Sequence, residues 1–252
     1  SLCFEIIIDL LSSAELQREE RVNVAKSLLK EHSSELFESL EQVSIHEDPA
    51  SRKQRNLSKT TISEPTATDK IAIVTRLSML LYDDNSINAL KSSLISVMNA
   101  SRLNESVISS LLSAFSENVA KISASQAMSE IDEYWLTIIP LFGRIQTSSV
   151  RSKLLAACHT LGTKKESLNA SVRILNDIHS KSGGSLHDID YDTCLKAYEK
   201  IEQNWYKQTS HHNIRAILFQ SLFDLRNSDF SIRNSASTAI EEFILLNKEY
   251  KI

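Results

Sequence analysis

The stretch that decides the fold is Ser228-Asp-Phe-Ser-Ile-Arg-Asn-Ser-Ala-Ser-Thr-Ala-Ile-Glu-Glu-Phe243. Asp229 is placed to cap a helix, because a short carboxylate accepts hydrogen bonds from the orphan N–H groups of a first turn. Ile232, Ala236, Ala239, Ile240 and Phe243 then fall on one helical face. Two alanines where that face is most crowded predict a second helix packed very close to it. The stretch therefore reads as one half of a helical hairpin.

The rest of the chain repeats the pattern. Ala114, Ala157, Ala197 and Ala239, the small inward residues of successive second helices, are separated by 43, 40 and 42 residues. Leu77 continues the series one unit upstream at 37, and Ala25 fits a further unit if a long loop is inserted between them. Periods of roughly 40–47 residues belong to HEAT and armadillo units. Val150-Arg151 and Ile232-Arg233 each stand with the arginine six residues before the alanine, a position where HEAT units often carry arginine. A hairpin of this kind cannot bury its apolar face alone, so such units stack. The fold class expected is all-α, an α-solenoid of about five or six HEAT/armadillo-like hairpins.

Taken in order, Leu2–Leu11, Leu16–Glu31 and Ser34–Val43 predict three N-terminal helices over 1–45. Composition then shifts. His46–Thr68 holds two of the three prolines, many Ser and Thr residues and a basic cluster of Arg52, Lys53, Arg55 and Lys59, and reads as an exposed loop. Repeats are expected over 69–252, with helices at Asp69–Tyr82, Ser86–Met98, Asn104–Ile122, Ile131–Ile145, Val150–Leu161, Ser167–Ser180, Asp192–Trp205, His212–Leu225 and Phe230–Lys248. Pro140 is expected to bend or tighten its helix. Gly183-Gly184 reads as a turn.

Composition excludes several classes. With 252 residues and 42% hydrophobic content the chain can bury a sizeable core, as one elongated array or two small domains. Four glycines and three prolines argue against sheets and phosphate-cradling loops, which need tight turns. The apolar runs are broken by charge before the roughly 20 residues that cross a bilayer, so no membrane segment is expected. Glu5 and Asp9 interrupt Leu2–Leu11, which does not read as a signal peptide. Cys3, Cys158 and Cys194 are odd in number and scattered, the usage of a reducing compartment. A net charge of −4 argues against coating nucleic acid over the whole surface and leaves local patches open. The chain opens on Ser1 and is expected to be a segment of something longer.

No catalytic, cofactor or metal residue is assigned. Asp188, Asp190, Asp192 and Glu199 imitate calcium-loop spacing, but Thr193 stands where the loop needs glycine, and helix capping is the simpler use. His211-His212 and Cys158-His159 lack metal-ligand spacing. Gly162-Thr-Lys-Lys lacks the upstream glycines of a P-loop and reads as a helix stop. One charge feature stands out. From Tyr134 to Lys165 there is no acid, while Arg144, Arg151, Lys153, Lys164 and Lys165 are basic. They form either a solvated edge, with Arg151 as a structural donor between units, or a ridge for phosphates or an acidic partner. The Arg52–Lys59 loop is a second such candidate.

A family comes into view over the C-terminal third. The run Arg151-Ser-Lys-Leu-Leu-Ala-Ala-Cys-His-Thr-Leu161 is followed by Leu186-His-Asp-Ile-Asp-Tyr-Asp192 and Leu195-Lys-Ala-Tyr-Glu-Lys-Ile201, then Ser231-Ile-Arg-Asn-Ser-Ala-Ser237. This order resembles the DRIM (down-regulated in metastasis) family, the giant HEAT-repeat component of the small-subunit processome. Leu57-Ser-Lys-Thr-Thr-Ile62 resembles the same family's region, where a basic loop interrupts the array. The likeness is most legible over about 150–245. It implies a non-catalytic scaffold in the nucleus and nucleolus that supports processing of pre-rRNA toward the small-subunit rRNA. The implied partners are processome proteins and pre-rRNA, with no membrane, cofactor or small-molecule substrate. HEAT-repeat adaptors of other assemblies, such as nuclear transport receptors or kinase and chromatin complexes, share the composition; a transport receptor should also show acidic inner helices, which this chain lacks.

Overall fold

The computed structural model describes residues 27, 84–99, 103–122, 127–180 and 190–249, and every described element is helical. The expected helices over 1–45 and at Asp69–Tyr82, the 46–68 loop with its Arg52, Lys53, Arg55 and Lys59, and the Gly183-Gly184 turn lie outside the described residues. The chain divides into two compact units, Ser1–Ser123 and Ala124–Ile252.

In the first unit, α1 (Asp84–Met98) packs against α2 (Glu105–Lys121). Leu90, Leu94 and Val97 of α1, and Leu111, Leu112, Ala114, Phe115 and Val119 of α2, are buried. The spacing of these residues puts them on single faces, which is why the two helices meet. Asn104 starts α2 by accepting from Val107 N at 2.9 Å. Asn118 Nδ2 donates to Ile87 O at 3.2 Å and ties the pair together.

The second unit contains α3 (Ala127–Ile138), a 3-10 turn at Ile139–Gly143, α4 (Ser148–Lys164) and a 3-10 turn at Glu166–Leu168. Then follow α5 (Asn169–Ile178), α6 (Tyr191–Glu199), α7 (Gln203–Gln208), α8 (His211–Asp224) and α9 (Phe230–Glu249). Neighbours in sequence pack on one another at α3–α4, α4–α5, α5–α6 and α8–α9. Four longer-range contacts close the unit: α8 on the Ile139–Gly143 turn and on α5, and α6 and α7 on α9. Tyr134, Trp135, Phe142, Leu154, Leu161, Leu175 and Ile217 form the core. Ala157, Ala197 and Ala239 are all buried, as Ala114 is in the first unit, so every described member of the alanine series is an interior residue.

Three local features refine the sequence reading, the first being the tightening expected at Pro140. The helix expected over Ile131–Ile145 ends as α-helix at Ile138 and tightens to 3-10 from Ile139, with Pro140 in its first turn. Proline lacks the N–H that an α-helical interior needs, and the tighter turn tolerates this. The helix expected over Asp192–Trp205 is two helices. Ile201 is buried, its N–H turns back to Tyr198 O at 2.9 Å, and Glu202 is extended before α7 begins. α4 runs through Gly162 itself and stops within the Gly162–Lys165 segment, at Lys164, with that lysine in its last turn. A β-carbon at Gly162 would lie 2.6 Å from Asn169 Oδ1, so the glycine permits a close approach at the start of α5.

Candidate functional site: a basic edge and a buried arginine network

The five basic residues of the acid-free stretch do not form one cluster. Arg144, just after the 3-10 turn, and Lys153, in the second turn of α4, are exposed and have no side-chain partner among the described residues. Lys164 and Lys165 lie at the far end of α4. At 1.5 Å per residue the eleven residues from Lys153 to Lys164 span roughly 16 Å. Lys165 Nζ is 2.7 Å from each carboxylate oxygen of Asp132 on α3, with a side chain only 16% exposed. That ion pair staples α3 to the end of α4.

Arg151 turns inward. It is 7% exposed, because its place in the first turn of α4 faces the 3-10 turn and α8. Its Nε donates to Ile145 O at 2.8 Å and its Nη2 to Phe142 O at 2.9 Å. Its Nη1 donates to Gln220 Oε1 at 2.9 Å and lies 3.3 Å from His179 Nε2. The guanidinium sits 3.6 Å above the centre of the Phe223 ring, a cation–π contact. Arg233 repeats part of this arrangement at the start of α9, donating to Asn227 O at 2.7 Å and Ser228 O at 2.8 Å. Both arginines reach a carbonyl six residues upstream, and both precede a buried alanine by six.

The network continues beyond Arg151. Gln220 Nε2 donates to Asp224 Oδ2 at 2.7 Å, and Tyr198 Oη donates to the same oxygen at 2.6 Å. His179 Nε2 lies 3.0 Å from Gln220 Oε1. Side chains of α4, α5's end, α6 and α8 thus satisfy one another in the interior, as buried polar groups must. Burial, and then the Arg151 guanidinium, hold the His179 imidazole down to about 4, so it is neutral at pH 7. Burial raises Asp224 above the usual carboxylate range, against the opposing pull of Tyr198, Gln220 and Arg151.

A cleft of about 220 Å³ opens beside this network, lined in part by Ser152, His179, Cys194, Phe223 and Asp224. Burial, with Asp224 nearby, pushes the Cys194 thiol up to about 12, which keeps it protonated and poorly nucleophilic at neutral pH. Ser152 Oγ donates to Ser148 O at 3.0 Å. The chemistry of the cleft wall is that of a clasp between helices, with donors matched to acceptors.

The remaining motif residues fall on structural roles. Asp190 caps α6, accepting from Thr193 N at 3.1 Å and from its hydroxyl at 2.8 Å, and these bonds lower its pKa. Cys158 is buried and His159 exposed, on different faces of α4. No group of His, Cys, Asp and Glu with metal-holding geometry occurs among the described residues. No helix among them is long and apolar enough to cross a membrane. Sequence reasoning raised Arg151 as a donor between units but missed His179, Tyr198, Gln220 and Asp224. The available signal was Gln220 and Asp224 standing four apart on the face that also carries Ala216 and Ile217.

Comparison with known proteins gives a family. The sequence profile described as U3 small nucleolar RNA-associated protein 20, N-terminal, matches residues 1–250. The curated U3 small nucleolar RNA-associated protein 20 of Saccharomyces cerevisiae is 28% identical over 167 residues, 65% of this chain. That alignment covers 7% of the yeast protein's length. No solved structure matches the chain.

Proposed function

The chain belongs to the family described as U3 small nucleolar RNA-associated protein 20, N-terminal, and on that premise we propose that it is a segment of a non-catalytic scaffold in small ribosomal subunit biogenesis. The observation that carries this reading is the family match over residues 1–250, nearly the whole chain. The DRIM resemblance of the sequence stands in this proposal for the same family. The protein works in the nucleus and nucleolus, with pre-rRNA and processome proteins as partners.

The architecture proposed is a HEAT-like array of five or six hairpins: N-terminal hairpins over 1–45, a basic loop over 46–68 and repeats over 69–252. The shared phase of Arg151 and Arg233, each six residues before a buried alanine, supports it. The mechanism is geometric. Helix edges hold several partners at fixed distances, and cations meet phosphates without reading sequence. Arg144 and Lys153 are the residues of the basic edge best placed for this, being exposed and without side-chain partners among the described residues. Arg52, Lys53, Arg55 and Lys59 form a second phosphate-binding segment in the proposal. Arg151 and Lys165 hold helices together at its base.

Conditional depletion of the full-length protein, followed by pulse-labelling of ribosomal RNA, tests the function. Loss of mature small-subunit rRNA with large-subunit rRNA sustained is expected. Equal loss of both, or of neither, contradicts the assignment.

A further inference from the structure

The face of α8 that points away from the core carries a pattern the scaffold reading does not use. Its inward face is closed by Ala216, Ile217, Gln220, Ser221 and Asp224. On the outer face, Leu218 is half-buried, Leu222 is 51% exposed and Leu225, in the turn that ends the helix, is 39% exposed. These leucines stand at i, i+4 and i+7, so they form one stripe. Arg215 lies at one end of the stripe and Arg226 at the other, both exposed. Neither arginine takes part in an ion pair among the described residues.

The charge on this helix is one-sided. Its only acid, Asp224, faces the interior and is bonded to Tyr198 and Gln220. Nothing negative on α8 therefore neutralises Arg215 or Arg226 at the surface. Exposed leucines at helical spacing are the contact surface that an amphipathic helix seeks. Two arginines bracketing that stripe select for acidic residues on the incoming helix. A phosphate backbone would satisfy the arginines but leave three leucines facing a charged, hydrated chain. The combination favours protein over nucleic acid.

We propose that the outer face of α8 docks an acidic amphipathic helix of a partner protein, whose aliphatic residues cover Leu218, Leu222 and Leu225 and whose carboxylates pair with Arg215 and Arg226. The residues it uses differ from Lys153 and Arg144, the cations assigned above to phosphate, so substitutions at the two sets test the two assignments separately.

The test uses the 252-residue chain and a labelled helical peptide with leucines at i, i+4 and i+7 flanked by glutamates. A scrambled peptide of the same composition, a lysine-flanked version and a single-stranded oligouridine serve as comparators. Fluorescence anisotropy should show the acidic peptide binding at least tenfold more tightly than the scrambled one, and weakening as salt rises. Leu222→Asp should reduce that affinity by about tenfold or more, as truncation of a central contact does. The double variant Arg215→Glu, Arg226→Glu should lose the acidic peptide and gain the lysine-flanked one. Lys153→Glu should leave peptide binding unchanged. Because all four altered side chains are exposed, thermal unfolding of each variant should match the parent, and a variant that fails this is replaced by Leu222→Ser. Equal binding of acidic and scrambled peptides would overturn the proposal. So would oligouridine binding that depends on the two arginines and ignores Leu222.

Discussion

Arg151 carries more of the second unit than any other polar side chain described. Its three donor nitrogens connect the carbonyls of Phe142, in the 3-10 turn, and Ile145, just beyond it, to Gln220, and its charge faces the carboxylate of Asp224 through that amide. Replacing it with methionine leaves two buried carbonyls without their donor and removes the positive charge near Asp224, which keeps its bonds from Tyr198 and Gln220. The expected loss is ~2–5 kcal/mol, about 1–3 kcal/mol for each buried acceptor left without its donor. Lysine should not rescue it, because an ammonium cannot supply the planar fork. Arg144→Ala, at an exposed position, should change stability by less than about 0.5 kcal/mol. Urea unfolding of the three variants checks the contrast.

His179 adds a pH dependence. Its pKa is about 4 in the folded chain against the ordinary imidazole value of 6.5. Between those values the unfolded chain binds a proton that the folded chain refuses, so stability falls as pH drops from about 6.5 to about 4 and levels off below. The size is on the order of 3 kcal/mol. Asp224, whose pKa is raised, opposes this in the acid range by favouring the folded state when protonated. The clean measurement is therefore the difference between the parent and His179→Gln. Unfolding free energies of the two should converge toward pH 4 relative to their gap at pH 7, and a constant gap would contradict the assignment.

At the scale of elements, the sequence was most legible where local chemistry and packing agree. Asp229 caps α9 as its position predicted, accepting from Ile232 N at 3.0 Å. Ala239 is buried where α9 is crowded, and Tyr206 Oη donates to its carbonyl at 2.7 Å. Ala239→Leu should therefore overpack the α7–α9 contact and lower stability by about 1–3 kcal/mol, read as a fall in melting temperature. The break at residues 200–202 was not legible, because residues on both sides keep the helical period and no glycine or proline marks the gap. Burial of Ile201 decides it, and burial depends on partners distant in sequence. The same reason hid the arginine network. Gln220 lies 69 residues from Arg151, so only their packing brings them together. The basic run was legible as composition but not as a site, since α4 carries its members to opposite ends and two of them into internal bonds.

For the whole molecule, the account rests on surfaces that hold partners, not on a reactive pocket. The polar groups of the cleft satisfy one another and its thiol stays protonated. The family match places the chain among relatives of which it spans a small part, so its partners must be sought with the protein at full length. The most direct measurement is affinity purification of the tagged full-length protein from cells after crosslinking, with RNA sequencing and mass spectrometry of what is recovered. The account predicts precursor rRNA of the small subunit together with small-subunit assembly proteins. Recovery of transport cargo or chromatin subunits, with no precursor rRNA above background, would contradict it.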